Sequence, residues 1–543
     1  MSLRVALVGP IYQENLALAY LAAVARGGGH RAEVVPYARR AELDAAVRRV
    51  LELEPHVVGL GIAFQNHIED YLLFLRELRA RGFRGHLTAG GHVPTFCFRE
   101  LLRDAPGLDT VVRHDGEETF GALLSAIARG DRARDLPGLV WREGDDVVVG
   151  PVRAAASDLD RLPVASRSAE PFSVAGVVVD FVITARGCVG ECNYCSIAAY
   201  TSEQQKRYRL RSPSAVADEI ATLYHERSAR VMFVQDDLFV LPSSARTVER
   251  VGALKQELAR RGAHDLAFWV KARPESVTPE VCRALREMGV IHVFLGVESA
   301  SAPRLEYLGR THLPVHNESA IARCREHGIV PSFNFMLFDP DSSLDDIGAT
   351  LDMAEQHLDL PWNVCRTEIY SGTSLQARLR AEGRLRGDYR SYGYLMRDER
   401  AEIMFRIVRV ALSERALEME SLLNRLISLS FARQIHQHFF PGRATEALSR
   451  EVTELAVTAR RDTLDSLRRA LDFVASGAHQ DAERVRRFAV DEALALARRG
   501  LPWRARTEQL WRHFTARGSL LMGRRGVLPP ERAQGGWQVA AGS

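Results

Sequence analysis

Apolar residues in the first 130 positions cluster into short unbroken runs: RVALVGP, AEVVPY, HVVGLGIAF, GHLTAGG and DTVVRHDG. Between them lie NLALAYLAAVARGGG, AELDAAVRRVLELE, HIEDYLLFLRELRARG and FRELLRDA, whose apolar positions recur every three to four residues. Continuous apolar runs read as strands buried on both faces, and the longer period reads as one-sided helices. Five such β/α units predict an α/β domain with a doubly wound parallel sheet, whose ligand sits outside the carboxyl ends of the strands. There, Gly90 and Gly91 of AGGH and Gly116 of HDGEETF would let backbone approach a ligand, although tight turns use glycine for the same reason.

The pattern then changes. Residues 131–179 carry prolines, an acidic turn and a predicted hairpin of LVWRE with VVVGP, and read as a linker. From 180 to 395 the alternation returns with a longer repeat. FVITARG, RVMFVQDDLFV, LAFWVKARP, IHVFLGVESAS, VPSFNFMLFDP and WNVCRTEIYSGT are the strands of a partial (β/α)6 barrel, two units short of a closed one. Polar residues gather at the expected carboxyl ends: Asp236 and Asp237, Arg273, Glu298 and Ser299, Asp339, and Tyr370. Residues 396–543 are nearly all helix-period, which predicts a helical domain whose Pro- and Gly-rich close, GVLPPERAQGGWQVAAGS, reads as a frayed end.

Length and charge bound the setting. A chain of 543 residues, 46% of them hydrophobic, can bury more than one core. No run reaches the roughly 18 apolar residues of a membrane helix, and MSLRVALVGP leads into a strand without a signal-peptide pattern, so a cytoplasmic protein is expected. A net charge of +3 implies no nucleic-acid partner. Only Lys206, Lys255 and Lys271 stand against 69 arginines, a bias that reads as genomic composition. Residues 401–543 hold 23 arginines and 16 acidic residues, a net of +7. That basic face would either receive an anionic or peptide substrate or simply be solvated.

Three of the seven cysteines change the picture. Cys188, Cys192 and Cys195 of ITARGCVGECNYCSIAAY follow the first barrel strand at Cys-x3-Cys-x2-Cys spacing. Three thiolates on one loop can hold three irons of a [4Fe–4S] cubane and leave the fourth open to an external ligand. Zinc would want a fourth protein ligand, and residues 169–224 contain no other cysteine and no histidine. Cys97, Cys282, Cys324 and Cys365 read as small buried hydrophobes.

The cysteine loop, with Tyr194 before its last cysteine, resembles the signature of radical S-adenosylmethionine (SAM) enzymes over residues 180–395. The resemblance implies a cluster whose open iron binds SAM and cleaves it to a 5′-deoxyadenosyl radical. It implies Tyr194 against the adenine, with loop packing as the competing reading, and Glu298 and Ser299 of VFLGVES near the cofactor's polar end. Arg310 of LGR would pair the SAM carboxylate, or else be a solvated helix arginine. An electron donor such as flavodoxin or ferredoxin is implied too.

Residues 1–130, through YQENLALAYLAAVARGGGH, VVGLGIAF, AGGH and HDGEETF, resemble the flavodoxin-like cobalamin-binding module of one radical SAM subclass. The Asp-x-His-x-x-Gly loop that ligates cobalt elsewhere is replaced by GPIYQENL, so cobalamin without a histidine from that loop is expected. His67 and His92 read as loop or capping residues. The resemblance points to methyl transfer onto an unactivated carbon of a peptide or natural-product intermediate, with Asp236, Asp237 and Tyr370 as acid–base candidates and the basic helices closing over the substrate. Radical rearrangement, cyclisation or dehydration is the alternative, and a non-catalytic iron–sulfur sensor the reading from another class.

Overall fold

The computed structural model describes residues 1–521 apart from Tyr12, Arg132, Arg134, Asp145, Ser168, Ala169 and Gln205, with side chains through Phe514. The closing stretch from GVLPP onward lies outside the described residues. Strands β1 (Arg4–Gly9), β2 (Arg31–Pro36), β3 (Val57–Gly61), β4 (His86–Gly90) and β5 (Thr110–Val112) form a parallel sheet in the order β2-β1-β3-β4-β5. This doubly wound order is the flavodoxin one; its central strands β1 and β3 are apolar on both faces, and the half-exposed β2, with Arg31 and Glu33, forms an edge. The hairpin expected as a connector, β6 (Leu139–Glu143) and β7 (Asp146–Val149), instead extends this sheet, with β6 antiparallel to β5. Trp141 and Leu139 are apolar enough to bury there, so the segment joins the core.

A second sheet follows. After β8 (Phe172–Val174), β9 (Val177–Val182), the short β10 (Ala185–Gly187) and β11 (Tyr208–Leu210) come β12 (Ala229–Val234), β13 (Ala267–Ala272), β14 (Val290–Glu298), β15 (Val330–Phe338) and β16 (Trp362–Arg366). Six run parallel in the order β16-β15-β14-β13-β12-β9, and β8 pairs antiparallel with β9 at the edge. This is the expected open (β/α)6 barrel. Register sets its interior face: Phe181, Phe233, Trp269 and His292 lie side by side on successive strands, and Lys271 pairs with Phe294 one step nearer the carboxyl ends.

The open interior is filled by the C-terminal helices. Phe233 and Trp269 stack at 4.0 Å, Trp269 and His292 at 5.4 Å, and Phe431 of helix Leu422–Phe439 meets Phe233 edge-on at 6.2 Å. His292 Nδ1 bonds Gln434 Oε1 at 2.9 Å, and its Nε2 bonds Ser332 Oγ at 2.7 Å. The contacts to Trp269, His292 and Ser332 lie in the amino-terminal halves of β13–β15, so this helix packs there beneath the strand ends rather than over them. Its buried residues run round most of its circumference, as a helix threaded into a barrel requires. Among the described residues no helix is long and apolar enough to cross a membrane.

Candidate functional site

The cysteine loop is anchored before it begins. Asp236, just past β12 and fully buried, accepts from the Thr184 amide at 2.6 Å, the Ala185 amide at 3.0 Å and the Thr184 hydroxyl. Its carboxylate is thus occupied in fixing the turn that leads to Cys188, which makes it a positioning group rather than the acid–base candidate expected. On the far side, the Asn193 amide donates to Leu308 O at 3.1 Å and Leu375 N to Asn193 O at 3.0 Å. Gly309 lies under the loop at φ +72°, where a Cβ would meet Glu191 O at 3.1 Å and Asn193 N at 3.2 Å, so no other residue fits without displacing backbone. That docking carries Arg310 to the cluster loop.

Two other chain segments converge on the loop's middle cysteine. Arg310 Nη1 lies 3.5 Å from Cys192 Sγ and 3.8 Å from Glu298 Oε1, and its Nη2 donates to Gly296 O. Arg273 Nη1 lies 3.8 Å from the same sulfur, with its Nε on Glu275 at 2.6 Å. The Tyr194 hydroxyl donates to Glu298, whose carboxyl is pushed up by burial and held down in part by Arg310 and that hydroxyl. Glu298 adopts φ +63° at an irregularity in the β14–β15 ladder, a backbone state that costs a non-glycine residue of order 1–3 kcal/mol. Such strain turns the carboxylate toward Arg310. Burial pushes the Cys188 thiol up and the Cys195 thiol to about 12, so holding them as thiolates takes a strongly electrophilic centre.

The remaining candidates divide. Asp237 has an accessible side but lies deep in the protein; burial pushes its carboxyl to about 6, opposed by Lys271, which lies on the interior face of β13. Ser299 turns away from the cysteines, accepting from the Ser301 amide at 3.1 Å with its hydroxyl 3.3 Å from Thr350. Asp339 is buried against Ser342 and Arg304. The Tyr370 hydroxyl donates to Glu368 in the loop after β16. Gly91, at φ +109°, approaches Ile62 so closely that a Cβ would lie 2.6 Å from its carbonyl oxygen, and a Cβ on Gly90 would lie 3.3 Å from Val112 O. Both therefore serve chain packing, whereas Gly116 meets nothing closer than 3.5 Å. Cys365 faces the barrel interior beside Met336, and Cys282 and Cys324 hydrogen-bond to each other, a pairing invisible in the sequence.

The two sheets meet at their carboxyl ends. Arg186, two residues before Cys188, pairs with Glu117; Arg209 reaches Asp115 at 2.7 Å; and Arg113 reaches Glu203 at 2.6 Å. Tyr200 lies on the helix that starts after Cys195, its ring 4.6 Å from His92 and 5.2 Å from His114. Gln65, after β3, donates to Ile369 O at 2.9 Å, and Cys97 to Ser371 at 2.9 Å. A cavity of about 280 Å³ beside this junction is lined by Asp115, Glu117, Ser157 and Arg186 among others. Gln65 Oε1, against the loop after β16, and the Tyr20 hydroxyl, beside Arg186, are each buried without a partner, and an orphaned polar group of this kind suits the amides that ring a corrin. Both His114 nitrogens are engaged, by Tyr200 O and Glu203.

Comparison with known proteins agrees with both halves. Residues 182–354 match the radical SAM superfamily and residues 5–124 match the B12 binding domain. The chain is 26% identical over 347 residues to an uncharacterized methyltransferase of Pyrococcus horikoshii, covering 63% of this chain and 73% of that one. It is 27% identical over 325 residues to the anaerobic magnesium-protoporphyrin IX monomethyl ester cyclase of Cereibacter sphaeroides, covering 57% of this chain and 51% of that one. The solved structure of the cobalamin-dependent SAM radical enzyme OxsB with aqua-cobalamin superposes with TM-score 0.68 at 14% identity, over 95% of this chain and 84% of that one. The arginine-flanked cysteine loop and the sheet that faces it thus belong to a cobalamin-binding-domain-containing radical SAM enzyme, whose cofactors are a [4Fe–4S] cluster, SAM and cobalamin.

Proposed function

We propose that the protein is a C-methyltransferase acting on an unactivated carbon of a peptide or natural-product intermediate. The observation that carries this reading is the meeting of the two sheets' carboxyl ends, with Arg310 between Cys192 and Glu298 on one side and the orphaned Gln65 and Tyr20 groups on the other. When bound, the cluster supplies the electron that cleaves SAM to a radical, and cobalamin supplies a methyl group. The chain's own residues do the rest. Cys188, Cys192 and Cys195 hold the cluster. Arg310 offers two parallel donors to a carboxylate, Glu298 accepts from an ammonium, and Tyr194 flanks the adenine. Gly116 and Gln65 would border the corrin, to which the GPIYQENL loop offers no histidine. Asp237, Lys271 and the Tyr370–Glu368 pair remain to hold or move a substrate proton, and closure by the filled barrel floor excludes water from below. A flavodoxin or ferredoxin is the expected electron donor.

The similarity to a methyltransferase supports this choice, and that to a cyclase supports radical cyclisation without methyl transfer as the second reading. Incubating the anaerobically reconstituted protein with deuteromethyl-labelled SAM, reductant and candidate substrates separates them. Methyl transfer gives S-adenosylhomocysteine and 5′-deoxyadenosine in about equal amounts with label in the product. Only 5′-deoxyadenosine and methionine alongside an unlabelled product would overturn it.

A further inference from the structure

Arg310 has a task at the SAM side of the site, whereas Arg273, just past the carboxyl end of β13, has none so far. All three of its nitrogens are engaged. Nε donates to Glu275 Oε1 at 2.6 Å, Nη2 to the Thr311 hydroxyl at 3.0 Å, and Nη1 lies 3.8 Å from Cys192 Sγ. The first two bonds fix the plane of the guanidinium, so they aim the third nitrogen at the sulfur. The cluster loop is cut to admit it. A Cβ on Gly190 would collide with Arg273 Nη1, while the next nearest atoms lie 3.5 Å away, so a glycine between Cys188 and Cys192 leaves the guanidinium its place. Arg273 is buried there, and Gly190 N donates to Cys188 Sγ at 3.3 Å.

A donor on a cluster thiolate does more than hold the loop. An N–H···S bond strengthens as the sulfur gains electron density, so it stabilises the reduced cluster more than the oxidised one and raises the potential. A guanidinium keeps its proton at any working pH, so this donor is permanent. We propose that Arg273 is a positioning residue for electron entry: acting through Cys192, it raises the reduction potential of the cluster. One electron then passes more readily from a flavodoxin or ferredoxin, which is oxidised in that step, and no proton moves. The inference rests on the three-cysteine cluster and holds equally for methyl transfer and for cyclisation.

Redox titration of the reconstituted full-length protein without SAM or substrate, followed by the paramagnetic resonance of the reduced cluster, reads this directly. In R273Q about tenfold less cluster should be reduced at a fixed poise, a fall of about 59 mV for one electron. G190A leaves every charge in place but pushes Nη1 off the sulfur, so it should lower the midpoint too, and the R273Q/G190A double variant should fall no further than R273Q. An unchanged midpoint in R273Q with a full complement of iron, or additive shifts in the double variant, would overturn the proposal. Should R273Q fail to assemble its cluster, a wild-type midpoint in G190A would overturn it as well. SAM affinity by anaerobic calorimetry should stay within about twofold of wild type in R273Q; a loss of about tenfold at unchanged midpoint would place Arg273 on the SAM carboxylate instead. No reduced-cluster signal in wild type would sink the cluster itself, a different result from any of these.

Discussion

Arg310 concentrates much of the site's chemistry in one side chain, because its planar fork reaches a cluster sulfur, a strand carbonyl and a buried carboxylate at once. A lysine has the charge without the fork. R310K should therefore weaken SAM binding roughly tenfold to a hundredfold, the ~1.5–3 kcal/mol of a charged hydrogen bond, as read by anaerobic titration calorimetry. An unchanged Kd would remove Arg310 from the SAM site. A second residue sets a pH limit. Burial lowers the pKa of His292 to about 4, so the folded protein stays neutral there while the unfolded chain, titrating near ~6.5, takes up a proton. The unfolded state then binds more protons between these values, so stability is full above about pH 6.5 and falls on acidification toward 4, by ~3 kcal/mol for this group. H292Q should show a shallower loss of urea midpoint between pH 7 and 5 than wild type, and identical slopes would contradict the assignment. His92 and His312, also lowered to about 4 by burial, keep some slope in either protein.

At the scale of elements, the strands were legible because parallel strands buried on both faces leave unbroken apolar runs; ten of the eleven parallel strands begin within a residue of their runs, whereas β9 (Val177–Val182) begins four residues before FVITARG, inside the stretch expected as linker. The hairpin of β6 and β7 was legible as a hairpin but not as part of the first sheet, since a short apolar strand does not say which edge it joins. Helix Leu422–Phe439 was legible as helix only; residues such as Phe431, Gln434 and His292 find one another across more than 130 positions, and nothing local encodes that. The cluster loop itself was plain from cysteine spacing, whereas its anchoring by Asp236 was not, because a strand-end aspartate looks the same whether it serves chemistry or a turn. D236N puts an amide donor against backbone donors and should cost about 2–3 kcal/mol locally. Reconstituted D236N is expected to retain less iron per chain than wild type under gel filtration; equal retention would show that the Thr184–Ala185 anchor does not govern the loop.

Over the whole molecule, two sheets that would each be ordinary alone become a reaction chamber because their carboxyl ends face one another through Arg186–Glu117, Arg209–Asp115 and Arg113–Glu203. The helices then close the open barrel from beneath, leaving the chemistry to the junction. Of this arrangement the sequence carried the parts and their order, while the facing geometry rests on ion pairs between residues some 70 to 95 positions apart. The central claim is that one chain brings a Cys188–Cys192–Cys195 cluster and SAM to this junction for radical chemistry. The measurement that tests it most directly is 5′-deoxyadenosine released from SAM by the anaerobically reconstituted, reduced protein, compared between wild type and C192A. Release by wild type and its loss in C192A is the predicted result. Equal release by both, or none from wild type with a full complement of iron, would contradict it.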